Sequence, residues 1–287
     1  MASIQTSTIQ LLRFHFSFFL MPVYWFALGQ TTVINIFNAI ISFIVLHLLL
    51  YPSSNGYNSY MDRDTSSIGG LKNPQAPTKQ LFYFTIVMDS VALLLSLAIS
   101  ILFFAGILLY IAASRAYSYR GIRLKKYPIA GFLTVIIYQG GLVYFLISQT
   151  CESAAVAEVD SLGMLAATLL VGGFYPLTQI YQHAEDEEDG VVTISYMLGY
   201  RGTFLFTAII YTLAMACIGY VYWLQSKLHL FLILNIFLLP VLVYFFWWFF
   251  KVVNNTKHAN FKNTMRMNIL ASLLTNAAYI TLLITDN

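Results

Sequence analysis

Charge is scarce in this chain. Asp, Glu, Lys and Arg together make 9% of 287 residues, against about 25% in an ordinary soluble domain, so a soluble globular enzyme is excluded. Cysteine is scarcer still. Cys151 and Cys217 have no metal or redox spacing, which excludes a disulfide framework, a zinc site or a dithiol centre and leaves both as packing residues. No stretch alternates apolar and polar residues as a lipid-facing barrel strand does. No small-residue cleavage site follows the first apolar core, so a cleavable signal is not expected and that core reads as a span. The net charge of +3 is small, and no nucleic-acid partner is expected.

Apolar residues are what the chain has in plenty. They make 59% of it, aromatics 16%, and the mean hydropathy is +0.73. Apolar runs recur at about 20 residues, the length a helix needs to cross about 30 Å of hydrocarbon. The expected fold is therefore an all-α polytopic membrane protein. Nine spans are expected, at 11–29, 33–51, 81–99, 101–115, 129–148, 162–182, 202–223, 228–250 and 267–284. The apolar stretch 81–113 is too long for one span and divides at a tight turn near Ser100.

This count sorts the charges. Of 15 Lys and Arg, all but Lys227 fall on one side, with Arg13 at the start of span 1 and the rest after spans 2, 4, 6 and 8. The positive-inside rule places that side, and the amino terminus, in the cytoplasm; a bacterial cytoplasmic membrane is the expected location. Polar loops follow spans 2 and 6, four spans apart, which suggests one domain over 1–287 built of two related halves, 11–128 and 129–284.

The first polar run is Asn58-Ser59-Tyr60-Met61-Asp62-Arg63-Asp64, opening a loop that continues through Gly70 and Lys72. Asn58 and Asp62 are four apart and share a face if the helix continues. Amide and carboxylate oxygens are hard ligands suited to Mg²⁺, which takes one or two protein carboxylates and completes its shell with water and substrate phosphate. A merely solvated acidic loop is the plainer alternative. The second run, from Gln179 to Asp189, places Gln179, Gln182 and Asp186 at helical spacing. Its five closely spaced acids repel one another unless a cation lies near; Glu187 and Glu188 read as solvated, Asp186 as a metal ligand. The basic run from Arg115 to Lys126 is an ordinary topology anchor, from which one or two cations would turn inward to balance a diphosphate, with Tyr117 and Tyr119 as hydrogen-bond donors. Arg13 either serves a site or snorkels to the interface. Asp89, the one acid well inside a span, reads as structural, paired with a buried hydroxyl or amide.

These residues resemble the UbiA superfamily of intramembrane prenyltransferases over nearly the whole chain. Against that family's Asn-Asp-x-x-Asp-x-x-x-Asp, the run here has Asn58, Ser59, Asp62 and Ser66, with Asp64 between as a substitute. Against its Asp-x-x-Asp-x-x-x-Asp followed by Gly, Thr and Leu-Gly, the register set by Gly190, Thr193, Leu198 and Gly199 puts Gln179, Gln182 and Asp186 on the three acids. The stretch from Tyr117-Ser118 through Leu124-Lys125 to Pro128 is similar to the family's loop after span 4, and Arg13 matches a basic position near its start.

The resemblance implies a bundle with a central cavity open to the cytoplasmic face and Mg²⁺-dependent transfer of a polyprenyl group from a prenyl diphosphate to an acceptor, aromatic or lipid-like, within the membrane. It implies metal ligation by Asn58, Asp62, Asp64, Gln179, Gln182 and Asp186, with Asp62 and Asp186 essential to catalysis. Arg13, Arg63, Lys72, Tyr117, Arg120 and Lys125 would hold the diphosphate. Two Gln in place of two Asp remove two negative charges, which favours a rival reading as a non-catalytic isoprenoid- or quinone-binding relative. A transporter is the other rival, but its site would lie near the midplane, whereas the polar runs here stand at one face.

Overall fold

The computed structural model describes residues 3–63, 66–153 and 158–286, and Asp64 lies outside them. Apolar periodicity without strand-like alternation produces helices, and among the described residues the only β-type pairings are two isolated bridges. Among the described residues, eight helices are long and apolar enough to cross a membrane, and a bent pair at the amino-terminal end makes nine when it is taken as one span.

That bent pair is the first departure from the expected spans. Instead of one helix over 11–29, α1 (Thr6–Leu12) stops at Arg13, whose backbone is left-handed (φ 48°, ψ 49°). A 3₁₀ stretch, Phe14–Phe19, follows, and α2 (Met21–Leu28) restarts with Pro22 in its first turn. The two parts meet at 43°. The break buries Arg13, 6% exposed, inside the bundle, so it does not snorkel.

Next come α3 (Ile36–Asp62), α4 (Lys79–Ile99) and α5 (Ile101–Ser118). Asn35 caps α3 by accepting from Asn38 N, and the helix widens into π-helical turns over Ile44–Leu50. It runs on to Asp62, where Arg63 ends it in a left-handed conformation (φ 57°). The polar residues Asn58 and Asp62 therefore ride the last turns of a helix rather than opening a loop, as an uninterrupted i→i−4 ladder keeps them on one face. Ser100 alone separates α4 from α5, extended and capping the second helix through Phe103 N. Because α5 reaches Ser118, Tyr117 and Arg115 are helical rather than part of the basic loop.

Further on are α6 (Pro128–Thr150), α7 (Ser161–Gln179), α8 (His183–Glu188), α9 (Ile194–Leu224), α10 (Leu228–Asn254) and α11 (Phe261–Thr285). The expected span 202–223 starts eight residues early, at Ile194, because Thr193 caps a short first segment. Gly199 then kinks the helix with φ 66°, a backbone that side-chain-bearing residues rarely adopt.

Helix α7 packs most extensively against α9. Small residues permit close approach in a bilayer, where lipid is as apolar as leucine. At Gly140 on α6, an added Cβ would stand 2.7 Å from the Ala167 carbonyl oxygen on α7, which only glycine tolerates. Large apolar side chains such as Leu94, Ile101 and Val243 stay exposed on the outer faces, as lipid contact requires. Inside a span, Asp89 accepts from Ser53 Oγ (2.5 Å) and pairs with Arg115, whose guanidinium lies 3.9 Å from the Tyr57 ring centroid. Asp89 is thus tied to a hydroxyl, as expected, and also to a cation that had been assigned to the loop.

Candidate active site

The ends of α3, α5 and α7 meet with α8 around a small polar cavity of about 130 Å³. Its walls include Asn58, Asp62, Tyr117, Lys125, Gln179, Gln182 and Asp186. It adjoins a larger, mainly apolar cavity of about 320 Å³ between the helices, and Arg13, Asn58, Tyr117, Tyr175 and Thr178 line both.

Asp62 anchors the α3 side. It is buried, at 8% exposure, and burial of a carboxylate demands partners. Lys125 Nζ stands 2.6 Å from its Oδ2, and Arg123 3.7 Å from its Oδ1. Asn58 Nδ2 donates to Oδ2 (2.7 Å) and to Ser118 Oγ (3.2 Å). Arg13 donates to the Asn55 carbonyl (3.1 Å), the Gly69 carbonyl (3.4 Å) and Asn58 Oδ1 (3.5 Å). The α1 break therefore places a buried guanidinium against the first polar run and the loop that follows it.

The α7–α8 side is built differently. Helix α7 ends at Gln179, and Gln182 immediately precedes α8 after a turn closed by Gln182 N donating to the Gln179 carbonyl (2.9 Å). The helical spacing read across 179–186 is thus broken by a turn, yet all three side chains still line the cavity. Gln182 Nε2 reaches the Ser67 carbonyl at 3.5 Å. Gln179 Nε2 donates to Tyr175 OH (2.9 Å), which lies 2.5 Å from Tyr117 OH. Thr193 donates to Asp186 Oδ2 (3.3 Å), and Val191 N to the Asp186 carbonyl (2.7 Å). Behind this wall, His183 bonds Ser195 Oγ through Nε2 (2.8 Å) and stacks on Tyr200; burial pushes its imidazole down to about 4, so it stays neutral.

Three of the basic residues expected at the diphosphate stand elsewhere. Arg63 and Lys72 are exposed and line neither cavity. Arg120 donates to the carbonyls of Met61 (2.8 Å) and Asp62 (3.2 Å). It caps the α3 carboxyl end, where a cation suits the helix dipole, and does not face the cavity. Tyr119 is likewise exposed.

Other residues enter that the spacing argument passed over. Arg123 links Asp189 to Asp62 across the two polar runs. Glu185 and Asp189 line the polar cavity with Tyr175 and Thr178. A helical projection of 175, 178, 179 and 182 already shows one face, so Tyr175 and Thr178 were within reach of the sequence; Arg123 was not, being one cation among five.

Two oxygen atoms bear on metal fit. Asp62 Oδ1 and Gln179 Oε1 are buried in residues that line the polar cavity, and neither accepts a hydrogen bond. Hard oxygens of this kind, without a hydrogen bond and with Asp62 Oδ1 approached by Arg123 only at 3.7 Å, suit Mg²⁺. Among the described residues, no three His, Cys, Asp or Glu side chains are grouped to hold a metal ion. The donor set therefore fits an ion that draws few protein carboxylates and completes its shell from phosphate and water.

Comparison with known proteins follows the same lines. The fold matches the structure of a UbiA homologue from Archaeoglobus fulgidus bound to DMAPP and Mg²⁺, with TM-score 0.70 and 17% identity over 97% of this chain and 99% of that one. It matches the apo structure of a UbiA homologue from Aeropyrum pernix K1 with TM-score 0.67 and 16% identity over 93% and 97% of the two chains. A structure concerned with digeranylgeranylglyceryl phosphate synthase in membranes matches with TM-score 0.62 and 16% identity over 97% and 98%. A search of curated proteins finds no match. Residues 19–270 match the sequence pattern of the UbiA prenyltransferase family, a span that takes in both polar runs, and the chain belongs to that family.

Proposed function

We propose that this protein transfers a prenyl group from a prenyl diphosphate to an acceptor inside the membrane, with Mg²⁺ as cofactor. One observation carries the proposal: Asp62 and Asp186, from separate polar runs, face one small polar cavity that adjoins a larger apolar one. A diphosphate suits the first and an isoprenoid tail the second. Likeness to homologues bound to DMAPP or GPP with Mg²⁺ supports the reading.

Asp62 Oδ1, Gln179 Oε1, Asn58, Gln182 and Asp186 are the groups that would hold Mg²⁺. When bound, that ion supplies positive charge against the departing diphosphate. Lys125 and Arg13 offer fixed cationic donors on the same cavity, and such groups act most where water is excluded. Tyr117 lines both cavities, so it would border both the diphosphate and the isoprenoid tail. Phe174, Tyr211, Phe245 and Phe246 give the apolar cavity aromatic walls, which favour a developing cation through their π faces and keep water away from it. The cations of the loops after α3, α5 and α10, with Arg201 in the early part of α9, fall on the side that holds the site, which supports a cytoplasmic orientation.

Purified protein in lipid nanodiscs, given ¹⁴C-geranyl diphosphate and a membrane lipid extract, tests this. Label should pass to an extractable lipid with Mg²⁺ and not with EDTA. The observation favouring the rival, a non-catalytic binder, is Gln179 and Gln182 at a site without a three-acid group among the described residues. Saturable binding of the labelled diphosphate with no product from any lipid fraction would establish that rival.

A further inference from the structure

We propose that Gln179 and Tyr175 form a hydrogen-bond relay that turns the Tyr117 hydroxyl outward as a donor to the diphosphate, making Gln179 a positioning residue through its amide nitrogen. The inference rests on the reading of the cavity as a prenyl diphosphate site.

The direction of the relay follows from donor inventory. An amide nitrogen only donates, so the Gln179–Tyr175 contact of 2.9 Å runs from Nε2 to the phenol oxygen. The two phenol oxygens, 2.5 Å apart, share one hydrogen. If Tyr117 gave it, the Tyr175 oxygen would accept twice and its own hydrogen would be stranded. If Tyr175 gives it, every bond runs the same way, each polarises the next, and the hydrogen left over belongs to Tyr117.

That leftover hydrogen has a place to go. Tyr117 lines both the polar and the apolar cavity. Its neighbour Ser118 accepts from Asn58, which also donates to Asp62, so Tyr117, at the end of α5, sits beside the end of α3 that carries the first polar run. A donor on a desolvated wall needs an acceptor, and an anionic phosphate oxygen is the strongest the proposed substrate offers. The bond would strengthen as charge builds on the departing group. No covalent change at the protein is involved.

The amide also explains why glutamine serves here. Gln179 is buried, at 7% exposure, and with its nitrogen committed to Tyr175 its Oε1 is left without a hydrogen-bond partner at the polar cavity. A carboxylate at this position could only accept. Tyr175 would then donate to it and Tyr117 to Tyr175, and no hydrogen would face the substrate.

The experiment uses full-length protein, geranyl diphosphate and Mg²⁺, with kcat and KM of diphosphate release and, separately, calorimetric Mg²⁺ binding. Gln179→Glu should lower kcat about 10²-fold, the scale of losing one preorganised donor, with KM little changed and Mg²⁺ bound as tightly or more so. Tyr117→Phe should give the same loss, and the double variant no more than either. Wild-type kcat in Gln179→Glu, or losses that multiply in the double variant, would overturn the relay. Should Gln179→Glu not fold, Tyr175→Phe cuts the same link and should show the same kcat loss; wild-type kcat there overturns the relay equally. If the unaltered protein releases no diphosphate, the enzymatic reading fails first. The relay is then judged by equilibrium binding of geranyl diphosphate: equal weakening in Gln179→Glu and Tyr117→Phe supports it, and unchanged affinity refutes it.

Discussion

The two helix ends that meet at the polar cavity look alike in sequence and behave differently in space. At the end of α3, one buried carboxylate, Asp62, is matched by Lys125 and by the more distant Arg123. At the α7–α8 turn, two of the three motif positions are neutral amides, the acids Glu185 and Asp189 line the cavity beside Asp186, and Asp186 is held by Thr193 and by the backbone. The first end concentrates charge and its balance. The second sets two amide dipoles among acids, of which Asp189 is paired with Arg123. The difference suggests that charge at the cavity is organised around Asp62, while the amides shape donors and acceptors around it.

The largest expected effect follows from removing that charge. Asp62→Ala should lower prenyl transfer by about 10³-fold, at the upper end for loss of a preorganised electrostatic group, while circular dichroism and the thermal midpoint in detergent report an intact fold. If the equivalent change at the other end, Asp186→Ala, were equally damaging and Asp62→Ala were mild, the ranking of the two ends would be reversed.

Lys125→Met should come next. Lys125 pairs with Asp62 at 2.6 Å, so its loss should cost about 10²-fold in kcat/KM for the prenyl diphosphate. It should also free the carboxylate, so that Mg²⁺ alone binds more tightly than to the unaltered protein. Calorimetry without diphosphate measures this; weaker Mg²⁺ binding would mean that the lysine does not compete for Asp62.

Gln182→Asp asks whether the second end can be made like the first. Added negative charge should hold or raise Mg²⁺ affinity, by up to about tenfold once repulsion from Asp186 is set against the gain. Unchanged metal dependence would place Gln182 outside the metal's reach.

The smallest effect on chemistry is expected far from either end. Asp89 is paired with Arg115 and Ser53 away from both cavities. Asp89→Asn should lower stability by about 1–3 kcal/mol, below the full cost of breaking a sealed pair because both side chains keep some exposure. Transfer should change little. A loss of transfer as large as that of Asp62→Ala would show that the charge balance of the site extends along α3.

Much of the fold was legible because the bilayer imposes a length rule on apolar runs, and the charge asymmetry supported the span count. The breaks were less legible. Nothing in the apolar pattern signals that the chain turns left-handed at Arg13, although that turn is what brings the guanidinium to Asn58. Asn58, Asp62 and Asp186 could be gathered from sequence because each belongs to a spaced motif, whereas Lys125 was singled out from the basic run only by the family resemblance. Arg63, Lys72 and Arg120 carry the same charge as Lys125 but differ in direction, and direction depends on caps and turns that are decided by tertiary packing. Tyr175 shares a helix face with Gln179 and Gln182 in sequence, but its role shows only in its contacts with Gln179 and Tyr117.

The central claim is that Asp62 organises a Mg²⁺-dependent departure of diphosphate, and the most direct measurement is pyrophosphate released from geranyl, farnesyl and geranylgeranyl diphosphates by the purified protein across a Mg²⁺ titration. Release that saturates with Mg²⁺, disappears with EDTA and is absent in Asp62→Ala is the predicted result. No release at any chain length, or release that persists in Asp62→Ala, would contradict it.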